Sequence, residues 1–286
     1  MAYLIEQLLN ALVLAGLLFL VSAGLSLVFG ILRVVNFAHG VFYMLGAYLG
    51  FTAVALTGWF WPALVVVPPV VGVLGALLES STLRFIYRRP QIYQLLLTFG
   101  LALILEESIR ILYGPTAKGV EPPALLQGAI SLGGLLYPRY RLFLVVLSLV
   151  VGAAVWLFLR TTRAGLVIRA VAQNSEMADC LGADVARVRT LVFGAACALA
   201  GLGGVAAAPM TTAYLGMGIA VIVEAFVVVV IGGLGSIGGS MAGSLIVGAA
   251  QSWGAFYLPE AAMVIMYAVM GAILIFRPWG LFGEEE

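Results

Sequence analysis

The chain is poor in nearly everything that aqueous chemistry uses. Charged residues make up only 9% of its 286 positions, and it holds one histidine, His39, and one lysine, Lys118. A single histidine excludes HExxH and multi-histidine metal sites. The lone lysine is followed by Gly119, so no GxxxxGK[ST] phosphate loop can form, and any ATP hydrolysis belongs to another chain. No serine lies in a GxSxG elbow, and a nucleophile–base pair would have to recruit His39. Cys180 and Cys197 give neither a disulfide framework nor metal-ligand spacing, and read as small packing residues. A net charge of +1 points to no nucleic-acid partner. The expectation is a chain that is not an enzyme and carries no cofactor or metal of its own.

What is plentiful is apolar. Hydrophobic residues reach 63% and the mean hydropathy is +1.15, more than a soluble domain of this size could bury. A hydrocarbon core about 30 Å thick needs roughly 20 helical residues. That ruler cuts the chain at Leu8–Leu32, Phe37–Leu56, Trp61–Leu83, Tyr93–Leu112, Leu142–Leu159, Thr190–Ala208, Ile219–Ile231, Met241–Phe256 and Ala262–Phe276. The first run is too long for a signal h-region and lacks a basic n-region, so it reads as a retained span. The expected fold is all-α: a polytopic transmembrane helical bundle of eight to ten spans with broken helices, one domain over residues 1–286.

Orientation follows from the basic residues. Alternating outward from an inner 161–189 loop puts Arg33, Arg84, Arg88, Arg89, Arg160, Arg163, Arg169, Arg187, Arg189 and Arg277 inside. Arg110, Lys118, Arg139 and Arg141 fall outside. This excess of inner positive charge is the expected bias, and it puts the N-terminus out and the Glu284–Glu286 tail in. The 161–189 loop itself carries a short helix. Asn174 or Ser175 caps its start, Gly182 ends it in the left-handed region, and Met177, Ala178 and Leu181 share a face.

Two places interrupt the apolar runs. VVNFAHG (Val34–Gly40) puts Asn36, Phe37, His39 and Gly40 between two spans, and IGGLGSIGGS (Ile231–Ser240) holds Gly232, Gly233, Gly235, Ser236, Gly238 and Gly239. Paired breaks of this kind suggest two repeats with the pathway at the breaks. Glu106 and Glu107 can pair with Arg110, and Glu79 can snorkel to the inner interface. Glu224 has no cation in its own span, so it must face protein, water or a substrate amine.

Three stretches carry a resemblance: GLSLVFGILRVVNFAHGVFYMLGAYLG (Gly24–Gly50), TTRAGLVIRAVAQNSEMADCLGADVARVRTLVFG (Thr161–Gly194) and EAFVVVVIGGLGSIGGSMAGSLIVG (Glu224–Gly248). Taken together they resemble the permease subunits of branched-chain amino-acid ABC importers, over essentially the whole chain. The resemblance implies a bacterial or archaeal cytoplasmic (inner) membrane. It also implies a second, related permease, two cytoplasmic ATPases that bind ATP-Mg, and a periplasmic or extracellular substrate-binding protein. It makes the region of Gly165, Arg169, Ala170, Asn174, Met177, Ala178, Leu181 and Gly182 the coupling element for the ATPase, with Ala178 and Leu181 as the contact face. It turns the NFAHG and GGLGSIGG breaks toward the translocation path near mid-membrane, with Glu224 beside it. Urea, short-chain amide and aromatic-acid permeases share these motifs. From another class, an ion-coupled secondary transporter titrating Glu224 and His39 is the competing reading.

Overall fold

The computed structural model describes residues 2–87, 89–132 and 135–283 and is almost wholly helical. Arg88 and the Glu284–Glu286 tail, both expected on the inner side, lie outside the described residues. The chain begins with α1 (Ala2–Leu32), α2 (His39–Thr57), α3 (Phe60–Ser81), α4 (Gln91–Tyr113) and α5 (Arg139–Thr161). Two short helices follow, α6 (Arg163–Gln173) and α7 (Ser175–Cys180). Then come α8 (Val185–Thr211), α9 (Met217–Gly232), α10 (Ile237–Tyr257) and α11 (Ala262–Phe276). A small antiparallel hairpin, β1 (Ala129–Leu132) and β2 (Leu135–Pro138), sits in the long segment between α4 and α5.

All nine apolar runs form helices. Among the described residues, α1, α2, α3, α5, α8 and α11 are long and apolar enough to cross a membrane. The helices α9 and α10 qualify only as a pair, bent by 116° at their junction. By length and composition this gives six or seven candidate crossings, against the eight to ten expected. The bend has a local cause: Gly233 and Gly235 take φ of +101° and +84°, and the Ser236 side chain accepts from Gly239 N at 3.0 Å to start α10.

The centre of the bundle is an antiparallel crossing of α1 and α8. Gly24 lies against the Ala196 carbonyl and Gly203 against Leu20 and Val21. The helix α10 runs antiparallel along α1, with Gly248 against Ala11 and Ala15, and the Ser252 hydroxyl donating to the Gln7 carbonyl at 2.9 Å. In the same sense α3 runs antiparallel along α8, with Val71 against Gly201 and Gly75 against Cys197. Small residues at these contacts let the backbones approach closely, which is where attraction between helices in lipid comes from.

These contacts repeat. In each half a long helix (α1 or α8) ends at a non-glycine residue of positive φ, Arg33 at 52° or Thr212 at 58°. A short non-helical segment follows, then a helix (α2 or α9) whose second residue is glycine. Those glycines, Gly40 and Gly218, pack backbone to backbone. Next come α3 or α10, a single 3-10 turn (Leu83–Ile86 or Pro259–Ala261), and α4 or α11. Because α1 and α8 run in opposite directions, the halves are inverted copies joined through α5, α6 and α7. The repeat expected from the sequence therefore exists in a different register. VVNFAHG matches the 212–218 segment, not the glycine-rich 231–240 segment.

Candidate functional site

The segment after α1 turns back into the bundle. His39 Nε2 lies 3.1 Å from the Val21 carbonyl, which is about 16 Å from the end of α1 at Leu32 by the helical rise. The helix α2 thus starts deep inside, and α9 starts beside it where Gly218 meets Gly40. A Cβ on Gly218 would lie 2.8 Å from the Gly40 carbonyl oxygen and 3.1 Å from Val41 Cα. Two helix N-termini meeting at depth is the arrangement found where broken helices line a transport path.

The four NFAHG residues expected at the path lie together here, packed inside the bundle. Asn36 and His39 are each 0% exposed. Phe37 is packed between Phe99 of α4 (ring centroids 6.3 Å apart) and Phe226 of α9 (5.1 Å). Its N–H donates to Thr98 Oγ1 at 3.4 Å, and that hydroxyl is also 3.3 Å from the Val35 carbonyl. Glu224, further along α9, is half-buried beside Gln251 of α10 and makes no salt bridge among the described residues. Gly218, Thr98 and Phe226 were missed in the sequence; the Met217-Gly218 pair after a short polar turn was the one available signal.

The 232–239 segment is not at mid-membrane. Gly235 packs on Gly30, two residues before α1 ends, so the bend lies at the same end of the bundle as Arg33. The carbonyls at its start are taken up by the C-terminal residues: Leu281 N donates to Ile231 O at 2.9 Å and Phe282 N to Gly232 O at 3.0 Å. Gly232 and Gly239 face each other across the bend, and Gly233 packs against Gly280 and Gly283. Gly238 points elsewhere. With Gly16, Phe19, Gly152, Trp156 and Met241 it lines an apolar groove of about 640 Å³ between α1, α5 and α10.

At that same end stand α6 and α7, where the sequence had placed one short helix. Thr162 caps α6 by accepting from Gly165 N at 3.0 Å, and Gly165 sits tight against the Phe158 and Leu159 carbonyls. Asn174 caps α7 by accepting from Met177 N at 2.9 Å. Gly182, at φ +89°, ends it as expected, with Ala183 N returning to Ala178 O at 3.0 Å. Arg169 and Ala170 are exposed. The expected contact face needs one correction. Ala178 is only 5% exposed and anchors α7 against Ile31, Val171 and Val192, whereas Met177 (58%) and Leu181 (82%) project outward. The anchor is buried because α7 must hold to α1, α6 and α8 through one small side chain.

Two ionisable groups also differ from expectation. Glu79 does not snorkel: it is 0% exposed and accepts from Tyr87 Oη and Thr190 Oγ1, both at 2.6 Å, with Arg84 Nη2 4.0 Å away. Burial and the adjacent carboxylate push the Tyr87 hydroxyl well above the usual phenol range. This cluster ties the α3 end to α8. Glu107 pairs with Arg110 as expected, but Glu106 does not; its Oε2 is buried without a partner.

The comparisons with known proteins bear on what such a bundle is for. Residues 7–276 match the family model described as the permease component of the branched-chain amino acid transport system. The chain belongs to that family. Among its relatives, the high-affinity branched-chain amino acid transport system permease protein LivH of Escherichia coli K12 is 28% identical over 302 residues, covering 99% of this chain and 97% of that protein. BraD of Pseudomonas aeruginosa is 27% identical over 301 residues, with 99% and 96% covered. A probable branched-chain permease LivH of the archaeon Methanocaldococcus jannaschii is 28% identical over 296 residues, with 96% and 91% covered. No solved structure matches. The chain is accordingly a multi-pass transmembrane permease of the branched-chain amino-acid transport class.

Proposed function

We propose that this permease is one of two related membrane subunits of an ABC importer for branched-chain or similar amino acids. Two cytoplasmic ATPases carrying ATP-Mg drive it, and an external binding protein loads it. The observation that carries the reading is α7. It is a helix capped at its start by Asn174, closed by Gly182 and held to the bundle by Ala178, yet it presents Met177 and Leu181 to the outside. Such a knob suits insertion into a groove on a partner. It stands at the end that holds Arg33, Arg169, Arg189 and Arg277, so the positive-inside bias makes that end cytoplasmic and the N-terminus external. The path runs past the Gly40–Gly218 crossing, with Phe37 as its closed door. Glu224 tunes the gate from α9.

The 232–239 bend, fastened to Gly30 and to residues 281–282, transmits motion between this end and α9. An amino-acid cargo suits the apolar Phe37, Phe99 and Phe226 walls. The test is reconstitution of the chain with its cognate permease, ATPases and binding protein in proteoliposomes. ATP-driven leucine uptake that requires the binding protein is expected. Uptake driven by a proton gradient without ATPases would instead favour the ion-coupled alternative.

A further inference from the structure

The two inverted halves supply an internal control for the polar groups at the closed path. Counting back from the paired glycines, Asn36 and His39 of the first half correspond to Tyr214 and Met217 of the second. The second half builds the same features: a positive-φ start, a re-entering segment and a glycine crossing. It does so with the Tyr214 side chain partly exposed and an apolar Met217 buried. The architecture therefore does not require an amide and an imidazole there. Yet the first half buries both completely, and three of their polar atoms, Asn36 Oδ1, Asn36 Nδ2 and His39 Nδ1, have no hydrogen-bond partner. Buried polar atoms without partners are rare and costly, and three on one turn call for a ligand or a second state in which they are used.

Their chemistry limits what that ligand is. A carbonyl only accepts, so the 3.1 Å contact with Val21 O places the proton of a neutral His39 on Nε2 and leaves Nδ1 as an acceptor. Asn36 offers one further acceptor, Oδ1, and a two-proton donor, Nδ2. No side chain caps α2; the His39 and Val41 N–H groups already donate to the Asn36 and Ala38 carbonyls, so what its start adds is the positive end of the helix dipole. Two acceptors beside an amide donor at a positive helix end match the ammonium and carboxylate of an α-amino acid, which lie on one carbon. We propose that Asn36 and His39 form the backbone-recognition site of the permease. The cargo's ammonium meets Asn36 Oδ1 and His39 Nδ1, and its carboxylate meets Asn36 Nδ2 and the start of α2. The apolar side chain is left to the Phe37, Phe99 and Phe226 walls.

The site opens when Phe37 leaves its place between α4 and α9 and segment 33–38 lets go of Thr98. This assignment rests on the importer reading and adds the groups that recognise the cargo. The test copies the second half into the first. Asn36→Leu and His39→Met are made in the complete importer, and thermal melting and ATP-driven leucine uptake are measured. Asn36→Leu melts no lower than the wild type, because it removes only unpaired buried groups, and His39→Met, which exchanges one unpaired nitrogen and the Val21 contact for an apolar side chain, melts close to it. Each loses roughly tenfold or more in maximal uptake, the scale of one hydrogen bond to a charged group. The external KM stays unchanged, because the binding protein sets it. Wild-type uptake in both variants overturns the proposal, and so does a fall in melting that accounts for the loss. A wild-type complex that takes up no amino acid under ATP overturns the importer reading and the proposal together, which separates the two failures.

Discussion

Gly218→Ala is the sharpest probe of the crossing on which both halves depend. The added methyl would lie 2.8 Å from the Gly40 carbonyl oxygen and 3.1 Å from both Gly40 C and Val41 Cα. All three are backbone atoms, so no flexible side chain can turn away. Either α2 and α9 separate or one of them shifts along its axis. Overpacking of this kind costs about 1–3 kcal/mol. For a chain of this size that lowers the melting temperature by roughly 2–12 °C. The control is Gly100→Ala, in the middle of α4, where a Cβ meets nothing within 4 Å. There alanine's better helix propensity, worth up to about 1 kcal/mol, should leave the melting unchanged or raise it by a few degrees. Melting in detergent, followed by tryptophan fluorescence, reads both variants on one scale. A Gly218→Ala protein that melts with the wild type, or a Gly100→Ala protein that falls as far, would refute the crossing as a tight structural joint.

Leu181→Glu should abolish ATP-driven uptake without changing the melting of the permease, because that side chain touches little of its own chain. Ala178→Arg should lower the melting itself, since it forces a charge against Ile31, Val171 and Val192. Equal melting for the two would show that α7 is not anchored there. Tyr87→Phe removes one of the two 2.6 Å hydrogen bonds to the buried Glu79 carboxylate and should destabilise by about 1.5–3 kcal/mol, read as a lower melting temperature. Combining it with Thr190→Val should be non-additive, and simple additivity would mean the cluster is not a unit. Glu224→Gln should reduce uptake by less than about threefold if the residue tunes the gate through Gln251, a modest effect in energy. Complete loss in initial-rate assays would make it essential instead.

The sequence made the helices legible because lipid imposes a simple length rule, and all nine apolar runs are helical. It made the α7 caps legible for a similar reason: Asn174 and Gly182 act within a few residues of themselves. Contacts between distant segments were hidden. In isolation the 212–218 segment reads as a boundary between apolar runs, and only its meeting with Gly40 shows that it is the counterpart of NFAHG. The 231–240 glycines looked like an open break because their density is incompatible with a continuous helix. Their partners, Gly30 and residues 280–283, are remote in sequence, so nothing local could show that the bend is filled. Ala178 was misjudged in the same way. On a helical wheel it shares a face with Leu181, but which part of that face turns inward depends on Ile31 and Val192.

The fastening of the bend by Leu281 and Phe282 sets an order of events during synthesis. The Ile231 and Gly232 carbonyls at the end of α9 receive their donors from residues made about 50 positions later. At ordinary translation rates that is roughly 3–10 s. Throughout that interval the bend between α9 and α10 rests on its own glycines and the Ser236 cap alone. The first half meets no such delay, because α2 and α3 are joined through Gly58 and Trp59, and the Gly58 N–H already bonds to Val54 O at 2.8 Å. The two inverted copies therefore mature on different schedules, and α1 with its neighbours must wait as a half-built template for the second half to lock against Gly30.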